Sequence, residues 1–351
     1  MNGSEYSCLL ILNITELIIH LLATCPISTF NFILILKTSL IHKNLKFILL
    51  CQSFCIFCRS FGRILVLFSK LIIGDILWGG PEEFVLIFGF AAFFRNFVAH
   101  VLVIERALAT YFVKNYENWK KPYFNFIWFP IVFILALLNS LNSVSSIILN
   151  LATWSFVLIF AILEIIVFTW MWHYNDKIFQ NQLFFRHSLT ERYQLVENIR
   201  TAKQLTPTLL IHFFNILIGA LINWAFYLQI FGNKAKSPSS IFYYGLLDAL
   251  FYCTIACTNF AIELTMILNH PYLRRNFFSF LIKLKSLIFK IKSPTNTRIG
   301  PSTLPPINAY FYNGFSLQNE AKIKLGGNEA ENHFEQLKRT WEITEKSKIK
   351  K

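Results

Sequence analysis

Aspartate is scarce in this chain. Only Asp75, Asp176 and Asp248 occur in 351 residues, and only Asp248 falls inside an apolar run. Intramembrane aspartyl proteolysis needs two such residues, so that chemistry is excluded. Charge is also sparse, at 15% of residues, against about 25% in soluble domains. The eight histidines are His20, His42, His100, His173, His187, His212, His270 and His333. They contain no i, i+4 pair of the kind a helical zinc hydrolase uses. No G-x-x-x-x-G-K-[ST] phosphate loop is present. The seven cysteines are Cys8, Cys25, Cys51, Cys55, Cys58, Cys253 and Cys257. None lies in 74–83 or 150–154, so no disulfide joins those two stretches. Metal ligation needs thiolates, which lipid disfavours, and no histidine adjoins these cysteines. They read as small packing residues. Neither catalysis nor a metal or cofactor is expected.

What abounds is apolar surface. Hydrophobic residues make up 55% of the chain, 38 residues are Phe, and the mean hydropathy is +0.48. Seven apolar runs lie at about 9–36, 45–72, 84–104, 124–149, 155–174, 208–231 and 241–268. Each is long enough to cross about 30 Å of hydrocarbon as a helix. Barrel strands would be about ten residues long with alternating polarity. The pattern predicts an all-α membrane protein, a seven-transmembrane helix bundle with short loops.

The net charge of +14 is unevenly placed. Lys and Arg number three in 37–46, four in 105–123, five in 175–207 and fifteen in 269–351. The intervening loops hold only Lys234 and Lys236. Loops rich in Lys and Arg stay cytoplasmic, which predicts the N-terminus outside and the C-terminus inside. The basic excess then faces anionic inner-leaflet lipid rather than nucleic acid. The first run has no basic n-region and carries Glu16, so it reads as a retained anchor, not a cleaved signal. It exports a short extracellular N-terminus, residues 1–8, with Asn2 as a glycosylation acceptor in Asn2-Gly3-Ser4.

Residues 9–292 form the expected membrane domain. His270-Pro271 ends the seventh run, because the residue before proline is pushed out of helical geometry. FFSFLIKLKSLIFKIK follows, with Lys283, Lys285, Lys290 and Lys292 among apolar residues. An interfacial amphipathic helix over about 274–292 fits that pattern. The remaining 293–351 reads as a cytoplasmic tail, mostly disordered.

Ionisable residues inside a bilayer are costly and mark function by default. Glu16 and His20 fall in the outer half of the first run. Arg59 and Arg63 fall in the outer half of the second. Arg95 and Glu164 lie near mid-bilayer, and Asp248 lies about two turns from the outer end of the seventh run. Two readings are open. These charges form structural ion pairs, or they line a polar pocket for a small-molecule ligand. Glu263 lies deeper, toward the inner end.

Three inner stretches carry the most specific signals. They are ERALATYFVKNYE at 105–117, RYQLVENIR at 192–200 and HPYLRR at 270–275. Together they resemble the nematode serpentine chemoreceptors of class epsilon (Sre), over roughly residues 40 to 280. Lys114-Asn115 departs from that pattern, where an acidic residue is expected. The resemblance implies a seven-helix G-protein-coupled receptor of chemosensory neurons, at the plasma membrane and in sensory cilia. It implies a heterotrimeric G protein and a small-molecule ligand as partners. Glu105 and Arg106 would form the acid–arginine switch. Arg192, Tyr193, Glu197 and Arg200 would belong to the G-protein contact. Read by residue type alone, Arg106 also suits lipid headgroups by snorkelling. The runner-up function is a multi-pass transporter or channel. The repeated halves with matched Gly or Pro breaks usual in transporters are missing. A third reading is an accessory protein that chaperones other receptors.

Overall fold

The computed structural model describes residues 3–38, 41–112, 116, 123–145, 147–182, 189–228, 230 and 238–288. Every regular element among them is helical. In chain order these are α1 (Gly3–Ile19), a π-helical turn (His20–Thr24), α2 (Cys25–Lys37), α3 (Lys43–Ile73) and α4 (Glu82–Tyr111). Then come α5 (Tyr123–Ser145), α6 (Ile147–Gln182), α7 (Leu189–Tyr227), α8 (Pro238–Asn269) and α9 (Pro271–Ile288). The chain divides into two compact units, Met1–Arg274 and Arg275–Lys351.

Among the described residues, six helices are long and apolar enough to cross a membrane. They are Gly3–Lys37, Glu82–Tyr111, Tyr123–Leu141, Ile148–Ile178, Leu195–Tyr227 and Ser240–Asn269. The expected count was seven. The second expected span corresponds to α3, which is 31 residues long but carries Lys43, Lys46, Arg59, Arg63 and Lys70. Those charges keep it out of the apolar set. They do not keep it out of the interior, because Arg59, Arg63 and Lys70 are all buried.

The helices of the first unit close into a ring around α4. α3 packs on α2 and α4, α6 on α7, α7 on α8, and α8 returns to α1. α4 touches α3, α5, α6 and α7. Its most apolar window is 67% buried, against 22% for that of α5, which marks α4 as central and α5 as peripheral. At Gly62 the backbone of α3 comes so close to α4 that an added Cβ would lie 3.1 Å from that of Phe88. Small residues permit such approach between membrane helices. α3 ends at Gly74, whose φ of 76° supplies the left-handed cap that other residues resist.

Three boundaries differ from those read in the sequence. Helix α1 begins at Gly3, so residues 3–8 are helical. The stretch 150–154, read as an outer loop, lies inside α6, which begins at Ile147. The polar residues that suggested a loop serve neighbouring helices instead. Asn150 Nδ2 donates to Asn223 Oδ1 at 3.1 Å, and Thr153 Oγ donates to Asn139 Oδ1 at 2.9 Å. The inner stretch 175–207 is also mostly helical, with α6 running to Gln182 and α7 starting at Leu189. Asn2 and the tail 293–351 lie outside the described residues.

Candidate functional site

The C-terminal end of α4 holds a closed acid–arginine pair. Arg106 Nε and Nη2 donate to the two oxygens of Glu105 at 2.5 and 2.6 Å. Such a fork-on-carboxylate contact uses the planar geometry that only arginine has. Both residues are buried, at 1% exposure for Glu105 and 5% for Arg106. Tyr116 donates its hydroxyl to Glu105 Oε1. Burial and the Glu105 charge push the Tyr116 phenol well above its usual range, so it stays protonated and donating. The His42 ring packs on Tyr116 at 4.4 Å between centroids. Burial lowers the His42 pKa against the opposing pull of Glu105, which favours the neutral ring. At the same level, Asn125 of α5 donates to Asn44 Oδ1 at 3.2 Å and accepts from the Trp128 indole at 2.9 Å.

On its other side Arg106 lines a small cleft between α4, α6 and α7, together with Thr110, Phe168, Met171, Asn175 and Asn198. Two amides tie the walls to α4. Asn175 donates to Thr110 Oγ at 3.1 Å, and Asn198 donates to the Ala109 carbonyl at 3.2 Å. Beyond α8, His270 is buried, and burial with the nearby Arg200 charge lowers its pKa to about 4.

Toward the opposite end of the bundle, Arg63 makes a second fork. Its Nε and Nη2 donate to Glu16 at 2.8 and 2.9 Å, from α3 to α1. His20 Nε2 lies 3.6 Å from the same carboxylate. The guanidinium sits 3.4 Å over the Tyr252 ring and 5.4 Å from that of Phe88, a cation–π arrangement. Asp248, half-buried, acts electrostatically on both Arg63 and Tyr252.

The middle of the bundle is polar too. Glu263 accepts from Asn31 and, at 3.1 Å, from Ser53. Arg95 donates to Asn259 Oδ1 and, at 3.0 Å, contacts His212 Nδ1. Glu164 pairs with His100. A second small cavity lies beside Arg95 and His212, with Gln52 and Thr208 as its other polar walls.

Among the described residues, then, apolar helices enclose two buried arginine–carboxylate forks, one at the C-terminal end of α4 and one between α3 and α1. A family model for Sre G protein-coupled chemoreceptors matches residues 83–342. The chain belongs to the Sre family. It is also 28% identical over 187 residues to serpentine receptor class epsilon-8 of Caenorhabditis elegans. That match covers 50% of this chain and 54% of the relative, so the chain spans about half the length of the curated protein it resembles. Membership makes the Sre chain a multi-pass membrane protein of a chemoreceptor family, as its helices also indicate.

The Sre chain brings some predicted residues together and separates others. Glu105 and Arg106 meet, as do Glu16, His20 and Arg63. Three arginines facing three carboxylates were expected, but among the described residues only Arg63 forms an ion pair within that set. Arg95 finds neutral partners, and Glu164 finds a histidine, because each is nearer a polar residue on an adjacent helix than an opposite charge. Arg59 is buried beside Tyr252 without an ion pair among the described residues. Glu197 and Arg200 are half-buried on α7, while the side chains of Arg192 and Tyr193 fall outside the described residues. Sequence reasoning missed Tyr116, His42, His100, His212 and Asn259. His100, His212 and Asn259 showed only as lone polar residues in apolar runs, and Tyr116 and His42 only as loop residues; neither signal gave a partner.

Proposed function

We propose that this Sre chain is a chemosensory receptor that binds a small molecule and activates a heterotrimeric G protein. The bundle has seven spans, with α3 the seventh. Its Arg59, Arg63 and Lys70 are accommodated because they are buried in the bundle, while Lys43 and Lys46 lie at its first turn. The Lys and Arg distribution puts the N-terminus outside and the α4 foot inside the plasma membrane; α9 then lies on the cytoplasmic leaflet.

The observation that carries this reading is the capped Glu105–Arg106 fork beside a cleft between α4, α6 and α7. A guanidinium held by one carboxylate can exchange it for acceptors on a partner, since the same planar fork serves both. The closed pair is thus the resting state. Ligand binding favours a state in which α6 and α7 part and Arg106 turns into the cleft. The ligand supplies only the free energy by which it prefers that state. Asn198, within RYQLVENIR, already lines the cleft, which suits that motif to partner contact.

The test is nucleotide exchange on a panel of Gα subunits, in membranes containing the expressed protein, under a broad odorant panel. Ligand-dependent exchange is the expected result. Ligand-dependent ion or solute flux without exchange would overturn the reading in favour of a channel or transporter.

A further inference from the structure

Helix α9 contains Arg274, Arg275, Lys283 and Lys285, all exposed, and no acidic residue. Its apolar residues fall on two sides. With about 100° between successive residues, Leu273, Phe277, Phe280, Leu281 and Leu284 share one arc about 100° wide. That broad face is the one suited to lie on lipid. Phe278 and Ile282, at i and i+4, lie on the opposite side, flanked by Arg275 and Lys285 within an arc of about 80°. Phe278 is 49% exposed, and Ile282, at 69%, is the most exposed apolar side chain described in α9. A helix lying on a flat surface buries one face only. A bilayer under the broad face therefore leaves the Phe278–Ile282 stripe uncovered.

Complementary chemistry lies in the same compact unit, Arg275–Lys351. Residues 329–345, EAENHFEQLKRTWEITE, hold five of the chain's 19 acidic residues. They lie outside the described residues, and their pattern is read from the sequence. Phe334, Leu337 and Trp341 recur at i, i+3 and i+7, an arc of about 60° at helical pitch. At the same pitch Glu331, Glu335, Glu342 and Glu345 run along one flank of that stripe. A segment this short is a marginal helix in water and gains by folding against an apolar partner. Between it and α9 stand 40 residues, 289–328. A flexible chain of that length spans about 35 Å root-mean-square, against about 27 Å for the length of α9. Such a tether holds the segment at roughly millimolar effective concentration, so a weak contact suffices.

We propose that the Phe278–Ile282 stripe of α9 is the docking site of the chain's own acidic segment, residues 329–345. Phe334, Leu337 and Trp341 cover Phe278 and Ile282, and the glutamates beside them meet Arg275 and Lys285. The occupied stripe is closed to other partners, and release of the segment opens it. The contact stands apart from the receptor reading, since it needs neither a ligand nor a G protein.

The experiment is photo-crosslinking within the full-length protein, in nanodiscs that contain anionic lipid. The benzophenone amino acid p-benzoylphenylalanine replaces Ile282, Phe278 or, as a control about 100° round the helix from Ile282, Lys283. Adducts are mapped by mass spectrometry, with isotope-labelled protein lacking the probe mixed in to reveal contact with a second copy. The expected result is adducts from positions 278 and 282 to peptides within 329–345 of the same chain, and few from 283. Glu335→Lys with Glu342→Lys is expected to lower that yield several-fold, and the further changes Arg275→Glu with Lys285→Glu to recover it. Adducts only to lipid, only to the labelled copy or to nothing overturn the proposal. So does a yield that charge reversal leaves unchanged or that the charge swap does not recover. Should one probe variant not fold, the other decides.

Discussion

Tyr116 and Arg106 donate to the same oxygen, Oε1 of Glu105. The tyrosine lies beyond the end of α4, so a residue outside the helix helps fix the charge state of the pair within it. A carboxylate accepting from both groups is held more firmly than one accepting from arginine alone. This relation makes the pair something that can be loosened in steps.

Tyr116→Phe removes one donor and nothing else. Basal nucleotide exchange is expected to rise several-fold with surface expression unchanged. Arg106→Ala is expected to abolish signalling, and Arg106→Lys to restore little of it, since lysine keeps the charge and loses the fork. Exchange assays on matched surface amounts check all three. Normal signalling by Arg106→Ala would mean that the arginine only anchors the helix.

The Glu16–Arg63 fork is formed and buried on both sides. Glu16→Ala leaves a guanidinium buried without its carboxylate, a loss of about 3–5 kcal/mol in soluble proteins. Surface delivery is expected to fall sharply. The neutral double change Glu16→Gln with Arg63→Gln is expected to recover most of it. Flow cytometry of an extracellular tag reads both, and a double mutant no better than the single one would show that the pair does more than neutralise itself.

Stability should weaken in acid through His270. Its pKa falls from the ordinary 6.5 to about 4 in the folded protein. The unfolded chain therefore binds more protons between those values. Its contribution is complete above pH 6.5 and is lost as pH falls toward 4, roughly 3 kcal/mol in all. His270→Phe is expected to flatten that part of the Tm-against-pH profile. An unchanged acid slope would place the sensitivity elsewhere.

Topology has its own check. An N-terminal tag should be reached on intact cells and a C-terminal tag only after permeabilisation. Single cysteines placed in 38–42 and 74–81 should label from opposite sides if α3 crosses. Labelling of both from one side would return the count to six.

The helices were legible because apolar length is a local property. The Glu105–Arg106 pair was legible for the same reason: its members are adjacent in sequence. The partners of Arg95 were not. Asn259 is 164 residues away, and only the placement of α8 against the bundle brings it there. The loop wrongly read at 150–154 failed in the same manner. Asn150 and Thr153 bond to asparagines on other helices, which a local reading does not show.

The π turn at His20–Thr24 has a consequence for the phase of the first helix. There the Cys25 N–H reaches back to the His20 carbonyl, five residues earlier, so the turn holds a surplus residue. Pro26, which has no N–H to offer, follows at once. Excising one residue within 20–24 should let the chain wind regularly, with Glu16 and Asn31 keeping their present azimuths. Excising one residue from the regular part, at 27–30, should rotate Asn31 by about 100° and take it off Glu263. Surface yield of the two deletion mutants would tell them apart: the first near wild type, the second severely reduced. The widened turn is thus the one place in this helix where the chain can shorten without losing its alignment.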